Sequence, residues 1–193
     1  MTQTIPTVRT SISHPLHIAT VPLECGAIGL TLCPGKQGAS EFGAPWQRDL
    51  KADLDKIVHW GAAAVVTLVE VHELRSLGVP ELGARIRDRG IQWHHLPIRD
   101  LEVPDEVFEA KWPAAVAQLR QTMAAGQRVL VHCRGGLGRA GTVAACLLVE
   151  HGVAPTQAIE RIRRVRPHAI ETPAQARYVM DYGPAVGRQE LKC

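Results

Sequence analysis

The sequence lacks three features that would each place it in a special class of proteins. It has no apolar stretch long enough to span a bilayer, because the most apolar one, Ala140–Val149, covers 10 residues and a spanning helix needs about 20. Its first residues show no apolar core of the signal-peptide type. Its charge is nearly balanced, with 22 Lys and Arg against 19 Asp and Glu, so no strong field toward nucleic acid or membrane is expected. We therefore expect a monomeric cytoplasmic protein that binds neither nucleic acid nor membrane.

Cysteines are also few and are not arranged as metal or disulfide motifs. The five cysteines form an odd set without a Cys-x-x-Cys pair: Cys25, Cys33, Cys133, Cys146 and Cys193. This argues against a disulfide scaffold and against a structural zinc site. With 193 residues, of which 46% are hydrophobic and 21% charged, the chain has the size and composition of one globular domain.

What the sequence does contain is an alternation of apolar strand-like and helical segments. Two short β-prone segments near the start predict a hairpin or a bent pair of strands, and further strands are predicted by the apolar runs that follow them. The predicted strands are Ile18–Leu23, Ala27–Leu32, Ala63–Val69, Gln92–Ile98 and Val129–Val131, and the predicted helices cover 47–60, 72–89 with a break at 78–80, 105–125, 139–151, 155–166 and 173–182. Strands alternating with helices of this length predict an α/β domain with a mostly parallel central sheet flanked by helices.

One segment carries most of the chemical information. The apolar strand Val129–Val131 runs into His132 and Cys133, five residues follow, and Arg139 opens an apolar helix. Such a turn points consecutive backbone N–H groups inward, at the positive end of a helix dipole, which predicts a binding site for a dianion. Three of the intervening residues are glycines, which let a phosphate approach the main chain: Gly135, Gly136 and Gly138.

The same segment offers a nucleophile and a clamp. The inward N–H groups and Arg139 are expected to stabilise Cys133 as a thiolate. The planar guanidinium of Arg139 can bind two phosphoryl oxygens at once.

The motif His132-Cys133-(five residues)-Arg139 resembles the signature of the cysteine-dependent protein phosphatases of tyrosine and dual-specificity type. Three further segments resemble the kinase-associated phosphatase branch of that family: Leu32–Lys36, Trp46–Leu50 and Val66–Leu68. The resemblance implies a phosphatase domain over residues 14–183, between an extended lead-in (1–13) and a tail (184–193). It also implies a phosphoprotein substrate, a phosphocysteine intermediate, and neither metal nor cofactor.

The resemblance implies roles for individual residues. Cys133 is the expected nucleophile and Arg139 the expected clamp, while His132 supports Cys133. The substrate phosphate is expected to contact Arg134, Gly135, Gly136, Leu137, Gly138 and Arg139.

A thiolate nucleophile also needs a proton donor for the departing oxygen. Asp100, at the end of a predicted strand, matches the place where the family carries this general acid. Asp105 is a competing carboxylate, although its position before a helix favours a role in starting that helix. Gln175 resembles the downstream glutamine that positions the hydrolytic water, and a helix-surface residue is the alternative.

The chain departs from the family pattern after the loop arginine. The family usually has Ser or Thr there, whereas this chain has Ala140. The hydroxyl that would assist the thiolate as a leaving group is therefore missing, unless Thr142 replaces it.

Three alternatives compete with a protein phosphatase. One is a phosphate-recognising module that has lost turnover, and a second is a phosphatase of a non-protein phosphate ester. The third arises because Gly136–Gly141 spells G-x-G-x-x-G, the dinucleotide-binding fingerprint. That fingerprint requires a second strand ending in an acidic residue, and the segment that follows here is predicted to be helical.

Overall fold

The fold is built on a five-stranded sheet with helices packed against it. The computed structural model describes residues 8–40 and 43–183. The strands are β1 (Arg9–Thr10), β2 (Ala19–Pro22), β3 (Ala27–Thr31), β4 (Gln37–Gly38), β5 (Trp46–Gln47), β6 (Ala62–Thr67), β7 (Gln92–His95) and β8 (Arg128–His132). The helices are α1 (Leu50–Trp60), α2 (Val71–Ser76), α3 (Leu82–Arg87), α4 (Glu106–Ala124), α5 (Gly138–Glu150), α6 (Pro155–Val165) and α7 (Pro173–Asp181).

The central sheet has the strand order β2-β3-β8-β6-β7. All neighbours run parallel except β2 and β3, which form the antiparallel hairpin predicted at the start of the chain. The α/β class with a mostly parallel sheet is thereby confirmed. Strand β8 lies between β3 and β6, and His132 at its end is in register with Thr31 on one side and Thr67 on the other. Ligand sites of open α/β sheets lie beyond such carboxyl ends.

Helix α5, which follows β8, is buried along its whole length. A helix that is apolar on all sides belongs in the interior of a protein, and α5 contacts β3, β8, α4, α6 and α7. This packing holds the N-terminus of α5, and therefore Arg139, in a fixed place relative to the sheet.

The structure differs from the sequence prediction around residues 34–49. Strand β4 lies where no strand was predicted, and β5 lies where the first helix was expected to begin. Together with β1 they form a second, three-stranded sheet in the order β1-β5-β4. Helix α1 starts only at Leu50, because the Asp49 side chain accepts a hydrogen bond from the N–H of Ala52 and caps the helix.

The fold bears on the dinucleotide alternative. The segment after α5 forms helix α6, as predicted, and not the second strand that the dinucleotide fingerprint requires, so the structure does not support the dinucleotide alternative. Within residues 8–40 and 43–183, no helix is both long and apolar enough to cross a membrane. The lead-in residues 1–7 and the tail 184–193 lie outside the described residues, and the domain limits stay a prediction.

Candidate active site

The loop between β8 and α5, called here the anion-binding loop (Cys133–Arg139), closes around the sulfur of Cys133. Cys133 is 3% exposed, and its Sγ accepts a hydrogen bond from the N–H of Gly136 at 3.2 Å. Gly136 has a φ of +72°, and a Cβ at this position would collide with the backbone of Thr31. The tight turn that aims an N–H group at the sulfur therefore requires glycine here.

Arg139 is buried beside this loop and is held by Glu73. Its Nη1 and Nη2 donate to the two carboxylate oxygens of Glu73 at 2.6 and 2.9 Å, and Nη1 also donates to the carbonyl of Ile98 at 2.9 Å. Its Nε is buried and has no hydrogen-bond partner among the described residues. A buried donor without a partner is rare in proteins and calls for an acceptor from outside the chain.

The charges of this pair stabilise one another. Burial acts to lower the pKa of Arg139, but its hydrogen bond to Glu73 and the charges of Cys133 and Asp100 raise that pKa above its ordinary value. For Glu73, burial acts to raise the pKa, but the hydrogen bonds from Arg139 and from the N–H of Glu70, together with the charge of Arg139, outweigh burial and lower the pKa. Both groups are therefore charged at neutral pH.

The two candidate carboxylates for proton donation occupy different places. Asp100 lies at the loop, with Oδ1 2.8 Å from Nη2 of Arg139 and its side chain 48% exposed. Asp105 accepts a hydrogen bond from the N–H of Phe108 at 2.9 Å and is the N-cap of α4. Asp100 therefore lies beside the guanidinium of Arg139. Asp105 instead caps helix α4, which is the role that its place before a helix favours.

His132 lies beneath the loop in a chain of hydrogen bonds. The indole N–H of Trp93 donates to Oγ1 of Thr67 at 2.8 Å, so the Thr67 hydroxyl is free to donate to Nε2 of His132, also at 2.8 Å. Nδ1 then carries the proton and faces the carbonyl of Cys133 at 3.5 Å. Complete burial lowers the pKa of His132 to about 4, so the ring is neutral at physiological pH.

This neutral histidine makes stability depend on pH. The folded pKa of about 4 lies below the ordinary 6.5, so between these values the unfolded chain binds a proton that the folded chain does not. Stability therefore falls as pH falls, by ~2 kcal/mol between pH 7 and pH 5 for this group alone. In wild type the urea concentration at the unfolding midpoint should fall between pH 7 and pH 5. We expect this fall to be smaller in His132→Gln.

The matched control for that experiment is His59→Gln, since His59 is exposed on α1. The urea midpoint of this variant should change with pH as it does in wild type. Equal slopes in wild type and His132→Gln would contradict a buried neutral His132.

Gln175 lies against the anion-binding loop, and its described contacts are those of a capping residue. Its Oε1 accepts from the N–H groups of Glu171 and Thr172 at 2.9 and 3.3 Å, and its Nε2 donates to the carbonyl of Glu102 at 3.2 Å. It forms a capping box with Thr172 at the start of α7. Its part in placing a hydrolytic water stays a prediction.

Thr142 does not offer its hydroxyl to the sulfur. Its Oγ1 donates to the carbonyl of Gly138, one turn back in α5, at 2.9 Å. Ala140 is completely buried and has only a methyl group. No hydroxyl of α5 thus takes the place of the family's serine or threonine.

We therefore expect breakdown of the phosphocysteine to be the slower half of the reaction. A hydrogen bond to the developing negative sulfur is worth ~1.5–3 kcal/mol, which corresponds to roughly a tenfold to hundredfold slower step without it. Rapid mixing with para-nitrophenyl phosphate should show a burst close to one equivalent of nitrophenol, and Ala140→Ser should raise the steady-state rate. Ala144→Ser, the same change at another buried site of α5, should leave the rate unchanged. No burst together with an unchanged rate in Ala140→Ser would contradict this role of Ala140.

Three residues that support the site were not identified from the sequence. Glu73 fixes Arg139. The sequence feature that could have pointed to Glu73 is an acidic residue in the first turn of the helix that follows a buried strand. Arg166 donates to the carbonyls of Gly136 and Gly135, each at 3.1 Å. Lys36 is buried nearby and its Nζ donates to the carbonyl of Arg134 at 3.4 Å. Both basic side chains thus hold the backbone of the loop.

Comparison with known proteins agrees with this geometry. Residues 46–179 match the family model described as "Swiss Army Knife protein, DSP-PTPase phosphatase domain". Cyclin-dependent kinase inhibitor 3 of Rattus norvegicus is 31% identical over 175 residues, which cover 87% of this chain and 79% of that protein.

Solved structures of similar proteins have the same fold. A structure of kinase associated phosphatase, in which the catalytic site cysteine is substituted by serine, superposes with a TM-score of 0.74 at 30% identity, covering 86% of this chain and 92% of that one. Tk-PTP in its active form gives a TM-score of 0.60 at 27% identity, covering 80% and 90% of the two chains. The chain therefore belongs to the DSP-PTPase phosphatase family and is a cysteine-dependent protein phosphatase.

Proposed function

We propose that this phosphatase hydrolyses phosphotyrosine, phosphoserine or phosphothreonine in proteins, with Cys133 as nucleophile, Arg139 as phosphate clamp and Asp100 as general acid. One observation carries the assignment. The buried Nε of Arg139 has no partner among the described residues, and it belongs to a guanidinium that Glu73 holds by its other nitrogens. This leaves the Nε edge of a fixed, charged guanidinium for an incoming phosphoryl group.

In the first step, the Sγ of Cys133 attacks phosphorus and the bond between phosphorus and the substrate oxygen breaks. The departing oxygen takes the proton of Asp100, so the alcohol or phenol leaves neutral. The Arg139 guanidinium and the N–H groups of the anion-binding loop hold the equatorial oxygens, on which charge is distributed in the transition state.

In the second step, water attacks the phosphorus of the phosphocysteine. Asp100, now a carboxylate, accepts the proton of the water, the bond between sulfur and phosphorus breaks, and Cys133 leaves as the thiolate. The phosphate then departs, and Asp100 already carries the proton of the water for the next cycle. About half of the Asp100 side chain is exposed, so water can reach it for this step.

The charge around the site supports a singly phosphorylated substrate. Within the loop interior, Arg134 is the one basic side chain between Cys133 and Arg139. Lys36 is buried beside it, and burial together with Arg134 lowers the pKa of Lys36. Relatives named kinase associated phosphatase also support phosphoprotein substrates. We further propose that the protein works as a cytoplasmic monomer.

The experiment that tests this function compares substrates at equal concentration. Phosphotyrosine, phosphoserine and phosphothreonine peptides of one sequence are incubated with the enzyme, alongside a dispersed phospholipid monoester. Released phosphate is measured, with Cys133→Ser as the background control. Hydrolysis of at least one peptide at a higher kcat/KM than the lipid supports the proposal. Preference for the lipid would identify the non-protein alternative, and no turnover of any substrate would identify a phosphate-recognising module.

A further inference from the structure

The carboxylate of Glu171 binds one N–H group of the anion-binding loop. Its Oε2 accepts a hydrogen bond from the N–H of Gly138 at 2.6 Å. Gly138 is the first residue of α5, and its N–H is one of the expected phosphate donors. An ideal Cβ on Gly138 would lie 2.5 Å from the same oxygen of Glu171. The carboxylate reaches this place because residue 138 has no side chain.

The backbone before Glu171 is fixed against the loop. The guanidinium of Arg163 donates to the carbonyls of Ala169 and Ile170, both at 3.1 Å. Ile170 is buried with a φ of +61°, a conformation that is unfavourable for a β-branched residue and persists only when the surroundings enforce it. The N–H of Glu171 itself donates to Gln175. The position of residue 171 is therefore enforced, while the residue is exposed and its side chain is free to rotate outward.

Glu171 differs in this respect from Glu73, a buried carboxylate that also accepts hydrogen bonds from a donor of the site. Glu73 pairs with the guanidinium of Arg139 from a buried position, with 6% side-chain exposure. Glu171 instead accepts from the N–H of Gly138, which is one of the expected phosphate donors. The N-terminus of a helix stabilises one anion in this place, and a phosphate dianion beside the carboxylate would be repelled by it.

We propose that Glu171 competes with phosphate for the anion-binding loop. In the free enzyme its carboxylate accepts the hydrogen bond of the Gly138 N–H, and when a phosphoryl group binds, the side chain rotates away from the loop. Only molecules in which the Glu171 side chain has rotated away can bind phosphate. The apparent affinity for substrate and for product phosphate is therefore the intrinsic affinity multiplied by the fraction of such molecules. This inference rests on the proposed function, because it assumes that the anion-binding loop receives the substrate phosphate.

The test is Glu171→Gln, with Glu160→Gln as a charge-matched control on the exposed face of α6. Glutamine keeps the length and a neutral acceptor for Gly138, so the loop keeps its support, but the competing charge is gone. We expect KM for para-nitrophenyl phosphate and Ki for inorganic phosphate both to fall about fivefold, the effect of one charge at a helix N-terminus, with kcat unchanged. Glu160→Gln should match the wild type in all three.

The same comparison in the Cys133→Ser background, by calorimetric titration with inorganic phosphate, measures binding without turnover. Tighter phosphate binding in Cys133→Ser/Glu171→Gln than in Cys133→Ser supports the competitor role. Unchanged or weaker binding would overturn it, since a purely structural carboxylate would weaken the site when removed. A lower kcat at unchanged KM would also overturn it, by placing Glu171 in the chemical step. Absence of turnover in the wild type would instead refute the proposed function, and the titration would still decide the role of Glu171.

Discussion

Replacing Cys133 by serine is expected to lower the turnover of para-nitrophenyl phosphate by at least about 1000-fold. Only the thiolate is nucleophilic enough at neutral pH to form the covalent intermediate. Binding of inorganic phosphate should persist, because the donors of the site are the loop N–H groups and the Arg139 guanidinium, which the substitution leaves in place. The two quantities are measured separately, turnover by nitrophenol release and binding by calorimetric titration.

The control for this substitution is Cys146→Ser. Cys146 is also a buried free cysteine, but it lies in the middle of α5, away from the loop. Turnover close to wild type in this variant would show that removal of a buried sulfur is not harmful in itself. More than a few percent of wild-type turnover in Cys133→Ser would remove Cys133 from the nucleophile's role.

The second large effect is expected for Asp100→Asn, and it should depend on the leaving group. For phenyl and alkyl phosphates the rate should fall about 10²- to 10⁴-fold, because a poor leaving group needs the proton. For a substrate with a very acidic leaving group the decrease should be much smaller, because that group departs without protonation. The measurement is the slope of log(kcat/KM) against leaving-group pKa, which should be steeper in the variant.

Asp105→Asn is the matched control for Asp100→Asn. Asparagine is as good an N-cap as aspartate, so α4 should begin normally and turnover should stay close to wild type. If the leaving-group dependence appeared in Asp105→Asn and was absent from Asp100→Asn, the general acid would be Asp105 and our assignment would be wrong.

Asp100→Asn should also leave phosphate binding intact or improve it. In the free protein the Asp100 carboxylate lies 2.8 Å from Nη2 of Arg139, so an incoming phosphate competes with it for the guanidinium. Asparagine has no charge with which to compete. The variant should therefore hold substrate without converting it, which makes it suitable for capturing phosphoprotein substrates.

The local part of the site could be predicted from the sequence alone. The nucleophile, the loop N–H groups and the clamp lie on one contiguous segment, from His132 to Arg139, and their geometry follows from a strand that turns tightly into a helix. The α/β class was equally accessible, because the alternation of apolar runs and helical periodicity is a local signal. The capping role of Asp105 followed from its position one residue before a helix.

Other features of the fold and the site were decided only by tertiary packing. Glu73 is 66 residues from Arg139 in the sequence, and they meet because β6 pairs with β8 and places α2 beside the loop. Glu171 reaches Gly138 because α5, α6 and α7 pack together. The small sheet containing Trp46 was also missed, because two-residue strands carry no periodicity. Long-range pairings of this kind depend on strand order and helix packing, and a single sequence specifies these only through the complete fold.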